Sequence, residues 1–191
     1  MKTPSPRSST AGLLAHAVLF LTVLLAVTLS GFGFAARAQP PKLQDQLEQT
    51  LRLAALDGRI ERVRSSLDQG AAPDAVDPDG RTALMMAAYN GHTETVKLLL
   101  GRGAKVNAVD LTGRTALMYA ASGPFASTVK LLIARGADPN IRDTGEGFTA
   151  LMFAAAEGQV EVIKALLSHG ADVTIKDNDG DKALDFAVKN G

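Results

Sequence analysis

The sequence predicts an all-α fold, a solenoid of stacked helix-turn-helix units, and two observations carry that prediction. The phrase Thr-Ala-Leu-Met stands at 82–85, 115–118 and 149–152, at intervals of 33 and 34 residues. Between its copies, apolar residues recur at helical spacing and glycines interrupt them at matching offsets. Self-similarity at this period marks units that each bury an apolar face only against their neighbours. Such a stack offers a long surface and no obvious catalytic cleft.

The chain of 191 residues falls into two unequal parts. From Ser8 to Ala36 there is no Asp, Glu, Lys or Arg, and Leu13 to Leu29 is almost wholly aliphatic. Lys2 and Arg7 precede the run, and Ala36-Arg37-Ala38 follows it. A basic start, an apolar stretch and an A-x-A site predict a signal peptide over 1–38, cut between Ala38 and Gln39. Residues 39–42 then form a short linker and 43–191 the repeat domain. The alternative is an uncleaved inner-membrane anchor, since roughly 17–25 apolar residues span a bilayer. His16 and the glycines Gly31 and Gly33 count against a span. The charges of Lys2 and Arg7 hold the N-terminus in the cytoplasm, so the remainder is exported under either reading. Arg37 and Lys42 oppose that bias weakly.

The chain has no cysteine, which excludes lipid attachment at a lipobox, disulfides and thiolate metal sites. Lys2, Arg7 and Arg37 are the basic residues ahead of Gln39, and all 20 acidic residues follow it, leaving 39–191 at a formal charge of −3. A nucleic-acid binder would show a basic stripe, so that class is set aside.

The elements follow in order. Pro40-Pro41 marks the start of the folded region, since neither suits a helix interior. Leu43, Leu47, Leu51 and Ala54-Ala55 predict an amphipathic helix ending near Asp57-Gly58. Ile60, Val63 and Leu67 predict a second, closed by Gly70-Ala71. In the next unit Thr82 takes the N-cap position, Leu84, Met85, Ala87 and Ala88 form the inner face, and Asn90-Gly91 stops the helix. Val96 and Leu98 to Leu100 supply its partner, ended by Gly103-Ala104. Residues 107–113 form a turn-rich excursion to the next cap, and the pattern repeats.

Here the order G-x-T-A-L-M-x-A-A, then G-H-x-E-x-V-x-L-L-L, then G-A-x-x-N resembles the ankyrin repeat, with Ala for the usual Pro and Met for the usual His. The resemblance covers essentially all of 43–191. It implies helix pairs stacked into a curved array with β-hairpin-like loops projecting at right angles. By alignment the units run about 44–76, 77–109, 110–142 and 143–176, with a partial unit over 177–191.

The units depart from one another in informative places. Gly123-Pro124 replaces Asn90-Gly91; proline does not take positive φ, so Gly123 is expected to supply the helix stop and Pro124 to start the next segment. Phe125 falls where His92 stood, either as an exposed contact or tucked beneath the rearranged loop. The hairpin Asp143 to Phe148 carries one extra residue, a tolerated length change or part of a binding face. Ser65-Ser66 replaces Leu98-Leu99, which predicts a more solvated outer face on the first unit. Lys182 replaces the capping Thr, with Asp179 or Asp181 expected to cap instead. The half unit leaves one side of the 161–167 helix uncovered, so that either another chain covers it or the natural chain continues beyond Gly191.

Three motifs bear on chemistry. Asp177-Asn178-Asp179-Gly180-Asp181 resembles a calcium loop, but its twelfth position is Val188 where a Glu is needed, and earlier units carry the same turn as Asp77-Pro78-Asp79-Gly80. Met85, Met118 and Met152 suggest a copper ladder less than they suggest core filler. His92 and His169 sit near helix ends where imidazole meets a backbone carbonyl, and no catalytic set accompanies them. No enzyme, cofactor or metal is expected.

Binding remains. The resemblance implies partner contact through hairpin tips and the concave side of each first helix. Carried over by register, the tip positions include Asp79, Arg81, Leu111, Thr112, Arg114, Glu146 and Phe148, with Arg142 leading into a hairpin. The helix positions include Tyr89, Asn90, Ser122 and Glu157, and Phe125 joins them from its loop. Arginine beside aromatic and leucine side chains suits an interface centre. The competing reading is that Arg81 and Arg114 pair with nearby Asp; Leu111 and Phe148, with little structural reason to sit at tips, favour the interface. The expected protein is a monomeric, non-catalytic module in the periplasm of a Gram-negative bacterium, from its leader and cysteine-free repeats. Its partner is an unidentified protein, and it meets a membrane only if the leader stays attached. The resemblance also implies a role in assisting or protecting an envelope enzyme.

Overall fold

The structure, a computed structural model, describes residues 42–189. The expected leader, its cleavage site, Asn190 and Gly191 lie outside the described residues. Among those described, no helix is long and apolar enough to cross a membrane.

The described residues form nine helices: α1 (Leu43–Leu56), α2 (Ile60–Asp68), α3 (Ala83–Tyr89), α4 (Thr93–Gly101), α5 (Ala116–Ala121), α6 (Ala126–Ala134), α7 (Ala150–Ala156), α8 (Val160–Leu167) and α9 (Ala183–Lys189). Odd-numbered helices pack on one another in sequence as one row, and α2, α4, α6 and α8 form a second. Helices of six or seven residues are too short to persist alone, so caps and stacking must hold them. Thr82 is extended (φ −91°, ψ 166°), and its hydroxyl accepts the Met85 N–H at 3.3 Å. The Met85 sulfur accepts the Thr82 N–H in return, at 3.4 Å. Thr115 with Met118 and Thr149 with Met152 repeat the arrangement. A glutamate usually closes such a box. Here the position is buried, with Met85, Met118 and Met152 at most 2 % exposed, and a thioether fills it without burying a charge.

Leu51, Leu84, Leu117 and Leu151 form one buried column through the stack, and Val63, Val96 and Val129 another, continued by the partly buried Ile163. Full burial of each such side chain contributes about 1.5–3 kcal/mol. A polar ladder runs beside them. Asp74, Asn107 and Asn140 accept the backbone N–H groups of Lys105, Asp138 and Asp172, one repeat further on, at 2.8, 3.0 and 2.8 Å.

Three local expectations are corrected. Gly123 is absent from the positive-φ glycines; α5 instead stops one residue early, with Ser122 (φ −74°) as its C-cap. Proline at 124 denies the left-handed step that Gly91 (φ 67°) takes in the preceding unit. Ser66 is buried while Ser65 is exposed, so only part of that face of α2 is solvated. At α9, neither Asp179 nor Asp181 caps: the Asp185 carboxylate accepts the Lys182 N–H at 2.7 Å. The far edge does stay partly open, with Val160, Leu167, Leu184 and Val188 all exposed.

Candidate partner-binding surface

Each loop between helix pairs is built on one aspartate. Asp77 Oδ1 accepts the N–H groups of Asp79 and Arg81, and Asp110 Oδ1 those of Thr112 and Arg114. Asp143 does the same for Gly147 and Phe148, and Asp177 for Asp179 and Asp181. Consecutive hairpins are then tied backbone to backbone: Leu111 N–H to Asp79, Thr144 N–H to Thr112, and Asn178 N–H to Glu146, at 3.0, 2.8 and 2.9 Å. The tips therefore form a held row, with side chains free to differ. The Asp177 turn that resembles a calcium loop spends its carboxylate on these bonds, and Asp181 pairs with Lys189. Among the described residues no cluster of three or more His, Cys, Asp or Glu could hold a metal.

The hairpin electrostatics have clear causes. Burial works to raise the Asp77 carboxyl, but backbone and side-chain bonds from Arg81 outweigh it and hold it below the usual carboxylate range. Asp110 is likewise lowered: burial is outweighed by the Tyr119 hydroxyl, which donates to it at 2.6 Å, and by the Arg114 and Thr112 groups. Burial first, then that bond, push the Tyr119 phenol well above its ordinary value. Arg81 is raised by its bond to Asp77.

The predicted contact residues divide sharply. Leu111 is 75 % exposed at its tip. Asp79, Thr112, Glu146, Arg142 and Glu157 are exposed too, although Thr112 bonds Asp110, and Arg142 bonds Gly147 and Asn178. Tyr89 is exposed and stands edge-on to Tyr119, ring centres 6.1 Å apart. Asn90 donates to the Leu56 carbonyl and Ser122 to the Tyr119 carbonyl. A shallow depression of about 430 Å³ brings Tyr89, Asn90, Ser122 and Glu157 together. Arg81 pairs with Asp77 at 2.9 Å and Asp79 at 2.8 Å, and Arg114 reaches Asp143 at 3.5 Å while covering the Phe153 ring. The pairing reading of both arginines thus holds.

Two aromatic residues are corrected. Phe125 is tucked in, its ring so close to Gly91 and Gly123 that a Cβ on either would collide with it. Phe148 is half-buried, edge-on to Phe153 at 5.4 Å and to Phe186 at 4.9 Å. The position just ahead of the capping threonine is half-buried in each unit, Arg81 and Arg114 included, and the extra residue is taken up earlier in the loop. Asp143 closes onto the Phe148 carbonyl, five residues on, whereas Asp77 closes onto Arg81 at four, and the surplus bulges outward over 144–146.

A larger concavity lies toward the opposite end of the stack. A groove of about 830 Å³ is bounded by Asp45, Gln49 and Arg52 of α1, by Pro78 and Arg81 of the first hairpin, and by Tyr89, Arg114 and Tyr119. Leu53, Leu56 and Met86 supply its apolar surface. The register anticipates Arg81, Tyr89 and Arg114, and misses Arg52, Leu53, Met86 and Tyr119. One sequence signal marks the latter group. The residue after each Thr-Ala-Leu-Met is large and apolar or aromatic every time: Met86, Tyr119 and Phe153, with Leu53 and Phe186 in the end units.

Comparison with known families gives one match. The profile described as ankyrin repeats, in 3 copies, matches residues 51–143 and 122–191. No curated protein matches the chain.

Proposed function

The chain belongs to the ankyrin-repeat family, and from that premise we propose an exported, non-catalytic protein-interaction module acting in the periplasm. It holds a partner protein through its hairpin tips and the face of the odd-numbered helices, and so assists or protects an envelope enzyme. The observation that carries this reading is the held row of tips running into the 830 Å³ groove, with exposed Tyr89 and Leu111 on a surface otherwise braced by its own hydrogen bonds. Large side chains exposed on a rigid scaffold suit recognition.

Crosslinking in the native cells tests it. A photoreactive residue at Leu111 is expected to capture one protein chain reproducibly, and diffuse or absent capture contradicts the reading. Export is read separately. Sequencing the mature N-terminus is expected to give Gln39, whereas Met1 in the membrane fraction replaces a free module with an anchored one.

A further inference from the structure

We infer that the groove beside α1 takes an extended acidic and apolar segment of the partner, in which an internal glutamate or aspartate side chain meets Arg52. An adjacent apolar side chain lies against Leu53, Met86 and Tyr119. This inference rests on the protein-binding reading above and specifies its chemistry.

Arg52 is out of pattern. By register it stands where Met85, Met118 and Met152 close their capping boxes in the buried core. Among the described residues no hairpin precedes α1, which runs 14 residues against the seven of α3, so its first turns wall the groove. Within that wall the Arg52 guanidinium makes no hydrogen bond or ion pair to any described residue, and its Nη1 is closed off from solvent. An ionised donor left in this state costs free energy that an acceptor oxygen would recover.

Arg114, which lines the same groove, differs: its buried Nε makes no hydrogen bond but lies 3.5 Å from Asp143 Oδ2, so it has a carboxylate beside it where Arg52 has none among the described residues. The acids lining the groove are engaged as well: Asp77 holds Arg81, and Asp45 accepts the Lys42 N–H. What Arg52 lacks is therefore a carboxylate partner, a group that pairs with guanidinium through two parallel bonds. The apolar surface beside Arg52 selects an apolar neighbour on the same segment. A net charge of −3 over 39–191 disfavours a polyanion, whereas one carboxylate at a fixed guanidinium is a local, unscreened contact.

The test uses protein recovered from cells expressing all 191 residues, and a fluorescent octapeptide alternating leucine and glutamate, acetylated and amidated at its ends. Its glutamine counterpart is expected to bind at least tenfold more weakly by anisotropy, about 1.4 kcal/mol. Arg52→Met introduces the residue that the three central units carry, so it is expected to melt no lower than the parent and to bind both peptides alike. Arg52→Gln serves as a second variant with the same expected loss of preference. Equal binding of the two peptides by the parent, preference that survives both variants, or binding of neither peptide overturns the inference. Recognition only of a peptide with a free C-terminal carboxylate also overturns it, in favour of chain-end capture. Capture from Leu111 in cells without glutamate preference in the groove leaves the interaction reading standing and removes this one alone.

Discussion

The two ends of the stack carry the same repeat and treat the same positions differently. In the first three helix pairs the column after the repeated phrase holds Leu53, Met86 and Tyr119, and its space toward the hairpins is left as a groove. In the last two, the column holds Phe153 and Phe186, and Phe148 drops in between them. The arginines follow suit. Arg81 braces its own hairpin at the open end, while Arg114 lies over Phe153 where the closed end begins. Within that column one end packs its aromatic rings on one another, whereas the other leaves Leu53 exposed beside a groove.

Breaking the joint between the halves should have the largest effect. Leu117, 1 % exposed, lies in the central α5, which packs on both α3 and α7. Leu117→Ala is expected to cost about 2–5 kcal/mol. Because stability in a solenoid passes between neighbours, urea unfolding followed by circular dichroism should split into two transitions. A single, unshifted transition would show that the halves are not coupled through α5.

Phe148→Ala comes next and acts on the closed end alone. Two edge-to-face contacts at roughly 0.5–1.5 kcal/mol each, plus lost area, predict a loss of about 2 kcal/mol. Hydrogen exchange should accelerate in α7 and α9 while α1 and α3 keep their protection, and partner capture should survive. Lost capture with unchanged exchange would return Phe148 to the binding surface.

The smallest effect is acid sensitivity at the open end. Asp77 and Asp110 both sit below their ordinary carboxylate values in the fold. Their contribution is therefore present above the unfolded value, near 3.9, and is lost as pH falls through the folded one. Melting temperature should drop below about pH 4, and Asp110→Asn should flatten that drop. Tyr119 works in the other direction: its raised phenol contributes below pH of about 10 and fails only in strong alkali.

Much of the fold was legible because its unit is written so plainly. Thr82, Thr115 and Thr149 announce caps, Leu84, Leu117 and Leu151 announce the core, and the structure places both there. The surface was legible only as a register. Phe148 misled because the position ahead of each cap is half-buried, as at Arg81 and Arg114, and an aromatic ring there packs on Phe153 and Phe186 where an arginine reaches out to a carboxylate. Phe125 was undecided for a related reason, since only the close approach of Gly91 and Gly123 shows where its ring fits. Arg52 was missed because terminal units are atypical and carry no copy of the phrase to align by eye. Read against Met85, it puts a charge where the three central units carry a buried methionine, as Asp185 does in the last unit, but Asp185 accepts the Lys182 N–H while Arg52 has no such partner among the described residues.

The central claim is that recognition belongs to the open end. Tyr89 and Leu184 are both exposed, 54 % and 70 %, and lie at opposite ends of the stack. A photoreactive phenylalanine analogue at each, in the native cells, compares them directly. Capture of the same protein chain from Tyr89 and none from Leu184 is the expected result. Capture from Leu184 with none from Tyr89 would contradict it and move the binding surface to the uncovered edge at α9.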